Sequence, residues 1–202
     1  MTSNLKTFLA YLPLISASYA YGPDKQSPKF SLAVQTDLMA YTTKGGYSLW
    51  ATARHNQNQL SLSFVNYPNR DNSFYKESGL KENDRFLRIG LSRYWGKKKM
   101  KNFFYGVNVE FHWRELLEDG SNEIIKDTYW QFAPIVGYDW FPLKNKENQL
   151  KNFSTMLWAG PRFHPNYYKQ DRVFENTGSV YPIPDFINAS FGINLSYTFL
   201  KK

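Results

Sequence analysis

Taken in steps of two, residues 103 to 113 place Phe103, Tyr105, Val107, Val109, Phe111 and Trp113 on one face. The other face receives Phe104, Gly106, Asn108, Glu110 and His112. Strict two-residue alternation predicts a β-strand, because successive side chains of a pleated ribbon point to opposite sides. The wholly apolar face is crowded with large aromatics, while the opposite face carries a carboxylate and an imidazole. A soluble barrel hides its apolar face inside; a transmembrane barrel turns that face to lipid and keeps polar side chains in the lumen.

Eight segments fit the same template, near 29–41, 47–55, 59–67, 85–95, 102–114, 127–141, 153–164 and 186–200. The last is as regular as the fifth, with Ile187, Ala189, Phe191, Ile193, Leu195, Tyr197 and Phe199 against Asn188, Ser190, Gly192, Asn194, Ser196 and Thr198. Two segments are less regular. Ala133-Pro134-Ile135-Val136 is a continuous apolar run whose proline cannot donate to a ladder, which predicts a bulge or kink in the sixth strand, and Pro161 raises the same expectation in the seventh. Connections alternate in length, with long ones at 68–84 and 165–185 and medium ones at 115–126 and 142–152. Short turns on one side and longer loops on the other are a feature of outer-membrane barrels. Trp50, Trp95, Trp113, Trp130, Trp140, Tyr94, Tyr138 and Tyr197 fall near strand ends, as aromatic girdles would require.

The ends and the composition narrow the setting. Met1 to Lys6 carries one positive charge, Thr7 to Ser16 is mostly apolar, and Ser18-Tyr19-Ala20 offers small residues to a signal peptidase. The expectation is a signal peptide over 1–20, a short periplasmic segment over 21–28 and a barrel over 29–202. No later segment supplies the roughly 20 apolar residues of a spanning helix, so a membrane can be crossed only by a closed barrel. The chain has no cysteine, which excludes disulfide-stapled scaffolds, thiol chemistry and cysteine metal sites.

With the C-terminal strand ending Leu195-Ser196-Tyr197-Thr198-Phe199 and the alternation of residues 29 to 200, the chain resembles the small eight-stranded outer-membrane barrels of Gram-negative bacteria. The aromatic is followed here by Leu200-Lys201-Lys202, where such barrels usually end on the aromatic itself. The resemblance implies an all-β, eight-stranded antiparallel transmembrane barrel with periplasmic termini, inserted in the cell outer membrane by the outer-membrane assembly machinery. Its partners would be outer-membrane lipids and lipopolysaccharide. It does not imply one activity, because folds host many functions.

Charge then polarises the picture. The chain carries a net charge of +8. On the expected topology the periplasmic turns are rich in lysine (Lys97, Lys98, Lys99, Lys101, Lys144, Lys146, Lys151, then Lys201 and Lys202), whereas loops 115–126 and 165–185 carry more carboxylates than cations. Anionic headgroups, rather than nucleic acid, are the expected counterpart of the lysines.

Parity turns Asp37, Arg54, Arg88, Glu110, His112, Arg114, Asp139, Arg162 and His164 inward. Eight strands leave an interior just wide enough for side chains to fill it, and unpaired buried charges are costly. Ion pairing among Arg88, Glu110, Asp37, Asp139 and Arg162 is therefore expected, with Arg88 level with Glu110. The resulting plug would conduct little, leaving a structural or surface-interaction role. External aromatics Phe74, Tyr75, Tyr167, Tyr168 and Phe174 are the candidate contact residues.

Two alternatives differ in class. His112 with Glu110, or His164, could act as base and orienter for a serine attacking an acyl ester, as in outer-membrane lipid A deacylases. No His-x-Ser follows His55, His112 or His164. Transport of a small apolar solute could use the inward Met39, Trp50, Met156 and Trp158. A soluble lipocalin-like carrier would have to bury Phe103, Phe111, Trp113, Phe191 and Phe199 in one small cup. No metal site and no cofactor are expected, since the three histidines lack ligand spacing and no phosphate loop or dinucleotide fingerprint occurs.

Overall fold

A computed structural model describes residues 30–42, 46–70, 80–95, 102–118, 123–142, 152–165, 172–178, 180–181 and 187–201. Alternation becomes strand wherever it is regular: β1 (Phe30–Asp37), β2 (Tyr47–His55), β3 (Asn58–Arg70), β4 (Leu80–Tyr94), β5 (Phe103–Glu118), β6 (Ile124–Trp140) and β7 (Phe153–Phe163). A short helix α1 (Leu38–Thr42) follows β1, a two-residue ribbon β8 (Arg172–Val173) and β9 (Val180–Tyr181) follows β7, and β10 (Ile187–Lys201) completes the chain.

The eight long strands form one closed barrel in the order β1-β10-β7-β6-β5-β4-β3-β2, every neighbouring pair antiparallel. Closure falls between β1 and β10, where Val34 faces Tyr197 and one register shift lies between Leu32 and Ala33. The sorting of faces is inside-out relative to a soluble protein. On β5, Asn108, Glu110, His112 and Arg114 are buried inside, while Phe103, Tyr105, Phe111 and Trp113 stand exposed outside. Leu60, Leu62, Ile89, Val136, Leu157, Phe191 and Phe199 extend that outer apolar face around the barrel. The molecule is thus an eight-stranded antiparallel β-barrel of the transmembrane type: the ladder closes on itself, so no strand edge is left to lipid. Among the described residues no helix is long and apolar enough to cross a membrane.

The strands differ from the sequence expectation in instructive places. The first strand was expected to run to 41, but β1 stops at Asp37, whose Oδ1 accepts a hydrogen bond from the Met39 amide at 2.9 Å and starts α1. A side chain that offers the backbone a local partner ends a ladder. Conversely β3 reaches Arg70 and β4 begins at Leu80, so the sheet claims much of the expected 68–84 loop. The β2–β3 turn is tight, and Asn56 adopts φ 54 there, a left-handed conformation that asparagine tolerates better than most residues.

No bulge forms at Pro134. The β5–β6 register runs unbroken through Val107–Pro134, and the β7–β10 register runs unbroken through Pro161–Ala189. The two prolines instead share the β6–β7 seam, where pairing is recorded at Phe132–Phe163 and resumes at Val136–Ala159 in the same register. Each ring lies on the exposed outer face, and each missing N–H costs one local bond without moving the strand. Gly160 makes this seam possible: a Cβ there would run into the Pro134 carbonyl oxygen. On the lumen side, Gly192 leaves room for the Trp158 ring, whose atoms would be 2.5 Å from an added Cβ.

Of the aromatics expected at girdles, Trp95, Trp113 and Trp140 are exposed outside. Tyr94 is a correction, and Trp50 follows its expected inward parity rather than a girdle: both are buried in the lumen, on the inward faces of β4 and β2. Substituting Gly160→Ala forces a methyl group against backbone and is expected to destabilise the barrel by about 1–3 kcal/mol. A lowered urea midpoint of protein refolded into lipid would register this; an unchanged midpoint would mean that the seam is looser than its geometry.

Candidate functional site: the charged lumen

Inward side chains stack in three layers. Toward the end where β1 begins and β10 finishes, Tyr94, Phe104, Ala133, Ile135, Met156 and Trp158 form an apolar cluster. The Arg54 guanidinium lies 3.6 Å above the Tyr94 ring, and the Tyr94 hydroxyl donates a short hydrogen bond to Asp139. Trp158 Nε1 donates to Asn194 Oδ1 at 3.2 Å, and Asn194 Nδ2 donates to Gln35 Oε1 at 3.3 Å, tying β7, β10 and β1 together across the closure.

The middle layer centres on Glu110, which is completely buried. Arg88 is its register partner on β4, and Arg88 Nε donates to Glu110 Oε1 at 2.6 Å. The second carboxylate oxygen accepts a hydrogen bond from Gln131 Nε2 on β6, lies 3.2 Å from His112 Nε2 and is 3.6 Å from Arg162 Nη2. Around one anion the fold therefore gathers two guanidiniums, an amide and an imidazole, from β4, β5, β6 and β7.

His112 links this layer to the next. Its Nδ1 lies 2.9 Å from both oxygens of Asp84, while its ring is stacked between Phe86 at 4.4 Å and Tyr129 at 4.5 Å. In the third layer Arg114 Nη2 bonds Asp127 Oδ2 at 2.9 Å, Arg114 Nη1 lies 3.7 Å from Glu82, and the guanidinium carbon sits 5.1 Å over Tyr129. His164, one residue beyond the end of β7, is buried with its ring 6.2 Å from that of Tyr129.

Sequence reasoning placed Arg88, Glu110, His112 and Arg162 together, and the barrel brings them together. It expected ion pairs for Asp37 and Asp139, and this is corrected: among the described residues neither has a cation within ion-pair distance. Asp37 caps α1 and Asp139 bonds Tyr94 instead. Sequence reasoning missed Asp84, Glu82, Tyr129 and Gln131. The first two were lost because the fourth strand was started at 85. The even-numbered inward phase of β4, extended five residues toward the N-terminus, would have found both.

The arrangement packs side chains and balances charge around Glu110. Among the described residues the polar partners of the His112 ring are Asp84, Glu110 and Gln131, with no hydroxyl among them. A general base needs a reachable proton on its nucleophile. Both ring nitrogens are already occupied by structural partners. Among the described residues no group of three or more His, Asp or Glu side chains is arranged to hold a metal ion.

Above the third layer residues 174–177 pack and hydrogen-bond against the ends of β5 and β6. Strand β6 pairs with β7 only from Phe132 onward, so residues 124–131 and the facing end of β5 rise beyond β7. Phe174 is wholly buried against Leu116, with Ile125 beside them. The Glu123 carboxylate accepts the Glu175 and Asn176 amides at 3.0 and 3.1 Å, and the Thr177 hydroxyl donates to Glu118 at 2.7 Å. Phe174 was expected as an exposed contact residue and is instead the anchor of the loop. Phe74, Tyr75, Tyr167 and Tyr168 lie outside the described residues.

The fold is similar to two solved structures. One is Neisserial surface protein A, at 8% identity and a TM-score of 0.46 over 89% of this chain and all of that one. The other is a major outer membrane protein from Thermus thermophilus, at 11% identity and a TM-score of 0.41 over 86% of this chain and all of that one. No family model and no curated relative matches the sequence.

Two outcomes follow from the lumen. Glu110→Ala strands Arg88 and Arg162 and is expected to cost about 3–5 kcal/mol, whereas Arg88→Met with Glu110→Leu recovers at least half of that loss; equilibrium unfolding in lipid vesicles measures both. In a Leu116→Cys background, Phe174→Ala is expected to raise the rate of modification by a charged methanethiosulfonate about a hundredfold, because truncating a buried Phe costs about 3 kcal/mol.

Proposed function

We propose that this chain is an outer-membrane β-barrel with a closed, charge-filled lumen and a structural or surface-interaction role. It is exported with cleavage near Ala20, its termini and short turns face the periplasm, and loops 70–80, 118–124 and 163–187 face outward. The observation that carries the reading is the filling of the interior. Glu110 and its partners occupy the middle of the lumen, an aromatic cluster occupies one end, and Phe174 packs on the inner wall of β5 and β6 toward the other. Eight strands leave an interior just wide enough for side chains to fill, and the inward packing supports a closed lumen.

Transport of an apolar solute is disfavoured on the same ground, since Trp50, Met156 and Trp158 are buried packing residues. Acyl hydrolysis is disfavoured because, among the described residues, the polar partners of the His112 ring are Asp84, Glu110 and Gln131, none of them a serine. The expected partners are outer-membrane lipids, lipopolysaccharide and, during biogenesis, the outer-membrane assembly machinery. Surface contacts would be made by the outward loops.

Full-length protein purified in detergent and fused into planar bilayers is expected to give no discrete conductance steps, and lipid A from cells with and without the protein is expected to be identical by mass spectrometry. Stable single-channel steps would favour transport, and loss of an acyl chain from lipid A would favour the hydrolase.

A further inference from the structure

The outer face of β4, β5 and β6 changes character row by row toward the loops. Register partners Ile89, Val109 and Phe132, then Leu87, Phe111 and Trp130, are wholly apolar. The next row is Arg85, Trp113 and Thr128, followed by Asn83, Glu115 and Lys126, with Lys81 one step farther out on β4. A band of hydrocarbon contact thus ends at an indole flanked by a guanidinium, which is where a membrane surface places amphipathic and cationic groups.

Accessibility supports a surface role. Arg85 is exposed, Trp113 is 46% exposed, and the Lys126 side chain is 75% exposed although Glu115 lies 3.8 Å from it. At the corresponding end of β2, β7 and β10 the outward residues are Tyr47, Leu49, Phe163 and Ile187, all uncharged. The cations Arg85, Lys126 and Lys81 thus lie together on β4 and β6, continuous with the lipid belt, while the outward residues at this end of β2, β7 and β10 are uncharged.

We propose that Arg85, Trp113 and Lys126, with Lys81 above them, form a docking patch for the phosphorylated headgroup of an outer-leaflet glycolipid. Arg85 and Lys126 supply charge to the phosphate, a pairing that guanidinium makes bidentately. Trp113 packs at the junction between sugar and acyl chain, and the rows through Leu87, Phe111 and Trp130 receive the chains. Grouping on β4 and β6, with uncharged outward residues across β2, β7 and β10, gives a discrete site rather than a ring of headgroups. The inference rests on the outer-membrane reading and assigns that reading a specific lipid contact.

The test uses the full chain in detergent, with native mass spectrometry after incubation with lipid A or with its dephosphorylated form. Wild type is expected to retain phosphorylated lipid A. Arg85→Ala should weaken retention about fivefold, and Arg85→Ala with Lys126→Ala about twenty-fivefold, at about 1 kcal/mol per charge. Arg93→Ala, an outward cation at the opposite end, serves as the control and should retain lipid like wild type. Equal retention of the two lipid forms by wild type, or undiminished retention by the double variant, would overturn the patch while leaving the membrane reading intact. A chain that stays in solution without detergent would overturn both.

Discussion

A backbone amide in hydrocarbon has no water to turn to, and that constraint organises this molecule. Strands can cross a membrane only if every ladder closes, so β1 must find β10 at the far end of the chain. Closure in turn fixes register, because a slip of one residue would turn every apolar side chain of a strand into the lumen. The polar chain from Trp158 through Asn194 to Gln35 lies at this closure and gives the first and last strands shared partners inside the barrel. Even the two prolines obey the constraint. They meet across one seam, so the loss of donors is confined to a short stretch flanked by intact pairing.

The same closure sets the problem that the interior solves. With eight strands the lumen is too narrow to hydrate many charges freely, yet the alternation that makes the outside apolar fills the inside with Arg, Glu, Asp and His. Glu110 resolves this by touching four polar partners from four strands, and His112 passes the network on to Asp84 while its faces are filled by Phe86 and Tyr129. Histidine serves here as a doubly connected spacer between carboxylates. A His–Glu pair that suggests chemistry in the sequence thus has a structural part in the fold, joining two layers of the lumen.

Barrel, strand number and inward faces were legible in the sequence, because period-two alternation is a local signal repeated eight times. Arg88 and Glu110 were legible too, since a short turn fixes which residues of adjacent strands face each other. What escaped depended on where strands stop. The apolar phase of β4 fades before Asp84 and Glu82, where the wall rises beyond the hydrocarbon and its outer face turns polar, so alternation no longer marks it as strand. Phe174 escaped for a related reason: nothing in a loop sequence distinguishes an aromatic that anchors from one that is displayed, and only Leu116 and Ile125 on distant strands decide it.

The central claim is that odd residues of β5 face lipid and even ones face a packed lumen. Spin labels attached to single cysteines at successive positions from 103 to 113, in protein reconstituted into lipid vesicles, measure this directly. The account predicts oxygen accessibility that oscillates with a period of two, high at 103, 105, 107, 109, 111 and 113 and low between them, with little access for a water-soluble nickel reagent at the odd positions. Odd positions open to the nickel reagent and closed to oxygen would contradict it.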